Sequence, residues 1–239
     1  MKPKVGIIIP CYNEENIIHK TIERIETQLD LIKDDQIIDD SLICIIDDGS
    51  KDNTWNKIIS ISRNKENDIH GIKFSKNYGH QNALISGIKY LSDKVDCIIS
   101  IDADLEQDEK KMPEFVNKYL EGYHIVLGVR NNRLSDSVFK RVTAKFYYLI
   151  TNIFDMKLEE DHADYRLISS SIAKELNNFS EVSLFLRGII INLGYPIAKV
   201  NFDVNKIKGR KTRYSFYKML NLGLDSITSF TIMPLRFAS

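Results

Sequence analysis

Between Val5 and Gly128 the chain alternates short apolar runs with segments of helical period, and that rhythm leaves few folds open. Val5–Pro10, Leu42–Ile46, Ile69–Phe74, Val95–Ile101 and His124–Gly128 have the length and β-branched content of buried strands. Helices are expected between them. The first runs from Glu14 to about Leu31, with Ile17, Ile18, Ile22, Ile25 and Leu29 on one face. The others are Asn53–Arg63, with Asp52 or Asn53 as N-cap, then Gln81–Leu91 and Lys110–Leu120. This order predicts an α/β fold with a mostly parallel sheet and helices on both faces. Ligands of such sheets bind beyond the carboxyl ends of the strands. Polar clusters fall there: Tyr12-Asn13-Glu14, Asp47-Asp48-Gly49-Ser50, Lys76-Asn77-Tyr78-Gly79-His80, Asp102 with Asp104, and Arg130. One rim of the sheet is therefore the expected site.

The fourth cluster carries the most chemistry. Two carboxylates at i and i+2 on extended chain point to the same side. Asp102 and Asp104 at the end of a buried strand repel one another and resist desolvation, so a cation belongs between them. A hard divalent ion, Mg²⁺ or Mn²⁺, bridging a substrate diphosphate suits that donor set. A solvated acidic turn is the plainer alternative for such a pair taken alone.

Composition sets outer bounds. The chain has 239 residues, 43 % hydrophobic, enough for one large domain or two small ones. Acidic and basic residues balance at 33 each, so global charge steers no partner and gives no reason to expect nucleic acid. Cys11, Cys44 and Cys97 sit in apolar runs at irregular spacing, as reduced core residues of a cytosolic protein would. No signal peptide is expected, and no stretch reaches the roughly 18 apolar residues that span a bilayer. The second half differs in character. Ser135 to Phe154 mixes large apolar residues with Lys140, Arg141 and Lys145 at helical spacing. Lys206 to Lys218 holds six basic residues and no acidic one, followed by an aromatic, apolar stretch from Leu220 to Phe237. Both read as membrane-facing amphipathic helices, or as helices packed into the core or a second subunit. The change in character sets a soft boundary near residue 132.

Three motifs in order, Ile9-Pro10-Cys11-Tyr12-Asn13-Glu14-Glu15, Asp47-Asp48-Gly49-Ser50-Lys51-Asp52-Asn53-Thr54 and Asp102-Ala103-Asp104-Leu105, resemble family 2 glycosyltransferases of the GT-A fold. Asn77-Tyr78-Gly79-His80-Gln81, Asp164-Tyr165-Arg166-Leu167 and Leu186-Arg187-Gly188 resemble its polyprenyl-phosphate branch, which includes dolichol-phosphate mannose synthase and bactoprenol glucosyltransferases.

The resemblance implies a nucleotide-sugar-binding core over 1–132, an acceptor-side and membrane-interface helical region over 133–239 that completes the same catalytic domain, and roles residue by residue. Pro10, Tyr12, Glu14, Asp47, Asp48, Asp102 and Ala103 would bind the donor nucleotide, although Glu14 and Asp48 could instead cap helices. Asp102 and Asp104 would hold the metal, with Glu106, where the family has Gln, as a third carboxylate. The family's usual Pro in the next turn is absent, and Asp108 and Glu109 stand there. Arg130 matches the arginine that meets the acceptor phosphate, and a guanidinium fork suits that dianion. Lys140 and Arg141 would extend the anion site or form only a solvated face. Asp164 and Arg166 would line the acceptor side, or form a structural ion pair. Arg187 reads as structural. In the basic stretch Thr212-Arg213-Tyr214 fits the end of the family's pattern, and Lys206, Lys208, Arg210, Lys211 and Arg213 are the candidates for a loop closing on the diphosphate.

The implied reaction is inverting, metal-dependent transfer of a hexose to a polyprenyl phosphate such as undecaprenyl phosphate. UDP-glucose is the first expectation for the donor, ahead of UDP-N-acetylglucosamine and GDP-mannose. The catalytic set would be Asp104, Arg130 and Asp164. The cytoplasmic face of the cell membrane is the expected location, peripheral in this chain, with family transmembrane helices following the position of Pro234-Leu235-Arg236; a homo-oligomer is compatible. A transferase acting on a glycan hydroxyl, with Asp164 as base, is the alternative. A nucleotidyltransferase would open with a glycine-rich basic loop, and Cys11-Tyr12-Asn13-Glu14-Glu15 is acidic and without glycine.

Overall fold

The structure is a computed structural model and describes residues 2–64, 68–131, 162–179 and 186–205. In chain order the elements are β1 (Lys4–Cys11), α1 (Ile18–Asp34), β2 (Asp40–Asp47), α2 (Thr54–Asn64), β3 (Asp68–Lys73), α3 (His80–Leu91) and β4 (Cys97–Ser100). A 3₁₀ turn (Glu109–Lys111) leads into α4 (Met112–Leu120), then come β5 (Ile125–Arg130), β6 (His162–Ser169), α5 (Ser170–Leu176), α6 (Leu186–Asn192) and β7 (Ile197–Phe202).

One compact unit, Met1–Asn131 with His162–Ser180 and Tyr195–Lys206, carries all seven strands in a single sheet of order β3-β2-β1-β4-β6-β5-β7. A second unit gathers Asn132–Asp161, Glu181–Gly194 and Ile207–Ser239; its described part includes α6, with Leu186, Ile189 and Ile190 buried.

Pairing is parallel for β1 with β2 and β4, for β2 with β3, and for β5 with β7. The central strands are apolar almost without a break because both faces are covered. In β1, Val5 and Ile7 to Ile9 have no exposed surface. The helices cover them through apolar stripes, as in α1 with Ile18, Ile22, Ile25 and Leu29 of the expected set; the structure adds Ile32, and Ile17 lies before the helix, half-buried.

The structure departs from the expected pattern chiefly at α1, at β4 and in the second half, where β6 and β7 add two strands to the sheet within a region expected to be helical. Helix α1 starts at Ile18 rather than Glu14, because residues 14–17 form a turn in which the Glu14 carbonyl accepts the N–H groups of Ile17 and Ile18. Strand β4 is shorter than Val95–Ile101, although bonds from Asp96 N–H to the Lys4 carbonyl and from Ile101 N–H to the Ile8 carbonyl extend its pairing at each end. The largest departure is β6, which runs antiparallel between β4 and β5. Its Tyr165 packs against Phe115 of α4 and Phe202 of β7, with ring centroids 4.5 and 5.5 Å away, and donates its hydroxyl to the Asp108 carbonyl at 3.1 Å.

Candidate active site

The sheet order reverses between β1 and β4, so the loops leaving those strands diverge and open a crevice at their carboxyl ends. The loops after β1 and β2 are knitted together there. Asn13, with φ 54°, receives Lys51 N–H on its side-chain oxygen at 2.9 Å and gives its own N–H to the Ser50 hydroxyl at 2.8 Å. Glu14 N–H bonds the Thr54 hydroxyl at 2.8 Å, and the Glu15 carboxylate accepts Asn53 N–H at 3.0 Å. Asp52 accepts Thr54 N–H at the start of α2, as an N-cap does. Gly49, at φ 69°, lies so close to the Lys76 backbone that a Cβ would sit 2.3 Å from its carbonyl carbon. These bonds account for much of the motif that follows each strand.

Asp47 is fully buried; one oxygen accepts Ser50 N–H at 2.9 Å and the other has no protein partner. Asp48 accepts Tyr78 N–H at 2.7 Å and Gly79 N–H at 3.0 Å, fixing the approach to α3. Burial raises its carboxyl above the ordinary range against the pull of those two N–H groups. A carboxylate has about four acceptor positions, so Asp48 retains capacity for a ligand. Pro10 is buried at the end of β1, Tyr12 is half-buried beyond it, and Glu14 is buried. Neither Glu14 nor any other acidic residue lies in the first turn of α1.

Asp102 is the centre of the rim. Its side chain keeps 31 % of its surface open. It is nevertheless enclosed deeply enough for burial to push its carboxyl up to about 6, with Asp164 and Asp104 adding to the rise and His80 and Arg130 opposing it. The antiparallel register explains this company. Ser100 of β4 stands opposite Arg166 of β6, and the Ser100 hydroxyl donates to the Asp164 carbonyl at 2.5 Å, which brings Asp164 alongside Asp102. Arg166 is buried and its guanidinium pairs with the Asp164 carboxylate, the ion pair named above as the alternative to an acceptor contact. His80, at the first position of α3, places Nε2 3.4 Å from Asp164 and 3.7 Å from Asp102.

Asp104 is half-buried and accepts Glu106 N–H at 3.1 Å. Ala103 is buried, its carbonyl accepting the Thr21 hydroxyl at 2.7 Å. Glu106 is half-buried, and its carbonyl accepts Asn205 N–H at 2.9 Å. Arg130 is exposed at the end of β5, near enough for its charge to be felt at Asp102. The residues that replace the family's proline have their own structural work. Asp108 caps the 3₁₀ turn, and buried Glu109 pairs with Arg24 of α1.

The structure thus brings Asp102, Asp104, Asp164 and Arg130 to one stretch of rim and adds two residues given no role from sequence. His80 stood within a motif but without a function, and Gln107, which bonds Asp102, was masked by the acidic residues around it. Lys140, Arg141, Lys206, Lys208, Arg210, Lys211 and Arg213 lie outside the described residues. Among the described residues no three His, Cys, Asp or Glu side chains form a ready-made metal cage. A magnesium-type ion bound through one or two carboxylates and substrate phosphates needs none. The paired carboxylates, one of them held up by burial and like charge, fit such an ion.

Residues 6–176 match glycosyl transferase family 2. The chain belongs to that family and is a glycosyltransferase of the GT-A fold. It is 42 % identical over 238 residues to the uncharacterized glycosyltransferase YkoT of Bacillus subtilis, covering 99 % of this chain and 70 % of that protein. It is 32 % identical over 238 residues to the prophage bactoprenol glucosyl transferase homolog of Escherichia coli, covering 98 % and 74 %. Among solved structures, the mannosyltransferase PcManGT of Pyrobaculum calidifontis, in complex with GDP-Man and Mn²⁺, superposes with TM-score 0.57 at 16 % identity, covering 87 % of this chain and 59 % of its own. TarS of S. aureus with UDP-GlcNAc gives 0.55 at 15 % identity, covering 94 % and 66 %.

Proposed function

We propose that this chain transfers a hexose from a nucleotide diphosphate sugar to a polyprenyl phosphate, with inversion at the anomeric carbon. The observation that carries the reading is that Arg130, suited to bind an anion, stands at the same rim as the cation-binding pair Asp102 and Asp104, near enough for its charge to act on Asp102. The similarity to a bactoprenol glucosyl transferase homolog over nearly the whole chain supports a lipid carrier as acceptor. UDP-glucose is the proposed donor on the same ground.

Pro10, Tyr12, Glu14, Asp47, Asp48 and Ala103 bind the nucleoside side of the donor. Asp102 and Asp104, with Glu106 beside them, would hold Mg²⁺ or Mn²⁺, and the ion would supply positive charge for the leaving diphosphate. Arg130 orients the acceptor phosphate, extended by Lys140 and Arg141, and the basic residues from Lys206 to Arg213 close on the diphosphate. An acceptor phosphate oxygen attacks the anomeric carbon, and the bond to the diphosphate oxygen breaks with its electron pair leaving on the nucleotide. A phosphate monoester has its second pKa near ~6 and is already an anion at neutral pH, so no side chain need remove a proton. Asp164, engaged by Arg166, shapes the acceptor side in this reading. Catalysis is then positioning and charge neutralisation.

The test is a donor screen with undecaprenyl phosphate and Mn²⁺ or Mg²⁺, reading lipid-linked sugar by mass. UDP-glucose should give the hexosylated lipid. Consumption of every donor without lipid product contradicts the proposal.

A further inference from the structure

The side chain that holds Asp102 is five residues further along the chain. Gln107 is only 2 % exposed, and its carboxamide meets Asp102 twice. Its Nε2 donates to Asp102 Oδ2 at 2.7 Å, and its Oε1 accepts Asp102 N–H at 2.9 Å. The segment between them closes into a small ring, made possible by Leu105 in the left-handed region at φ 58°. Such a backbone is costly for a branched side chain and persists only where its surroundings hold it. Two bonds hold this ring from outside, Thr21 hydroxyl to the Ala103 carbonyl at 2.7 Å and Asn205 N–H to the Glu106 carbonyl at 2.9 Å.

Only a carboxamide completes this pattern. An apolar residue fills the space but leaves Asp102 N–H and one carboxylate oxygen without their partner, and a carboxylate sets like charge against Asp102. The clamp fixes both the main chain and the side-chain torsion of Asp102. It engages Oδ2 and leaves Oδ1 as the oxygen turned towards His80, 3.7 Å away.

We propose that Gln107 is a positioning residue of the transferase: its amide holds Asp102 by Oδ2 and its main-chain N–H, and so presets the carboxylate, with Oδ1 on the side of His80, for a divalent cation carrying the donor diphosphate. The inference rests on the glycosyl-transfer reading. It assigns Gln107 no contact with donor or acceptor, and the effect passes through Asp102. A preset ligand removes a rotamer search from the binding step, so its loss falls on metal-linked nucleotide binding rather than on the nucleotide alone.

The experiment compares the full chain with Gln107→Met, which conserves volume, and Gln107→Glu, which keeps the acceptor and replaces the donor. Thermal unfolding without metal reports the fold. Calorimetry with UDP, with and without Mn²⁺, and the Mn²⁺ electron paramagnetic resonance spectrum report the site. Each folded variant should lose tenfold or more in Mn²⁺-dependent UDP affinity, with Gln107→Glu losing the most. The Mn²⁺ spectrum should change, and metal-free UDP binding should stay within about twofold. Wild-type affinity and spectrum in a folded variant overturn the role of Gln107 and leave the transferase reading standing. Failure of both variants to fold also overturns it, making the clamp structural. Wild-type protein that binds UDP no better with Mn²⁺ than without overturns the reading of the acidic pair, and this inference with it.

Discussion

At the scale of single residues, the account turns on charges that are held apart or brought together. Asp102 and Asp104 would be a poor pair to bring together for structure alone, since the charge of Asp104 opposes ionisation of Asp102. Asp104→Asn removes one charge from that cluster, so it should leave thermal stability unchanged or raised while abolishing metal-dependent transfer. The expected loss exceeds tenfold at saturating Mn²⁺, more than ~1.4 kcal/mol of transition-state stabilisation. Retention of a tenth or more of the wild-type rate contradicts the assignment. Arg130 tests the acceptor side. Arg130→Ala should raise KM for polyprenyl phosphate and leave nucleotide affinity from calorimetry unchanged; equal weakening of the nucleotide moves Arg130 to the donor. His80 and Gln107 show what the sequence could not announce. Each acts through a partner supplied by the fold, His80 by facing strands β4 and β6, and Gln107 by a left-handed turn at Leu105.

At the scale of elements, the strands and helices of the first half follow from apolar spacing, because a parallel sheet covered on both faces needs continuous apolar strands. Strand β6 was not legible in this way. Asp164-Tyr165-Arg166-Leu167 carries two charges and no β-branched residue, and a central strand so composed is stable only because Arg166 pairs with Asp164 inside the protein. The pair itself is among the expectations from sequence; what apolar spacing does not encode is that it lies on a strand between β4 and β5. The other side of the strand is conventional core. Tyr165 is fully buried between Phe115 and Phe202, and Tyr165→Ala should cost ~3–5 kcal/mol in urea unfolding. Tyr165→Phe removes only the bond to the Asp108 carbonyl and should cost about 1 kcal/mol. Equal losses for the two variants would contradict ring packing as the larger contribution.

At the scale of the whole molecule, the proposed reaction requires a water-soluble donor to meet a lipid acceptor. No helix among the described residues is long and apolar enough to cross a membrane. The proposed meeting place is the headgroup layer, reached through segments 135–154 and 213–237, whose mixture of basic and large apolar residues suits an anionic surface. The chain should float with anionic vesicles and not neutral ones, less so in high salt and less so as Lys140→Glu. Absence of flotation with any lipid contradicts this chain's own membrane contact. The central claim is that the acceptor's phosphate itself takes the sugar, and phosphorus NMR of the recovered lipid tests it most directly. After incubation with UDP-glucose, Mn²⁺ and undecaprenyl phosphate, the lipid resonance should move from monoester to diester as UDP accumulates. A lipid that remains a monoester while UDP is released contradicts the account.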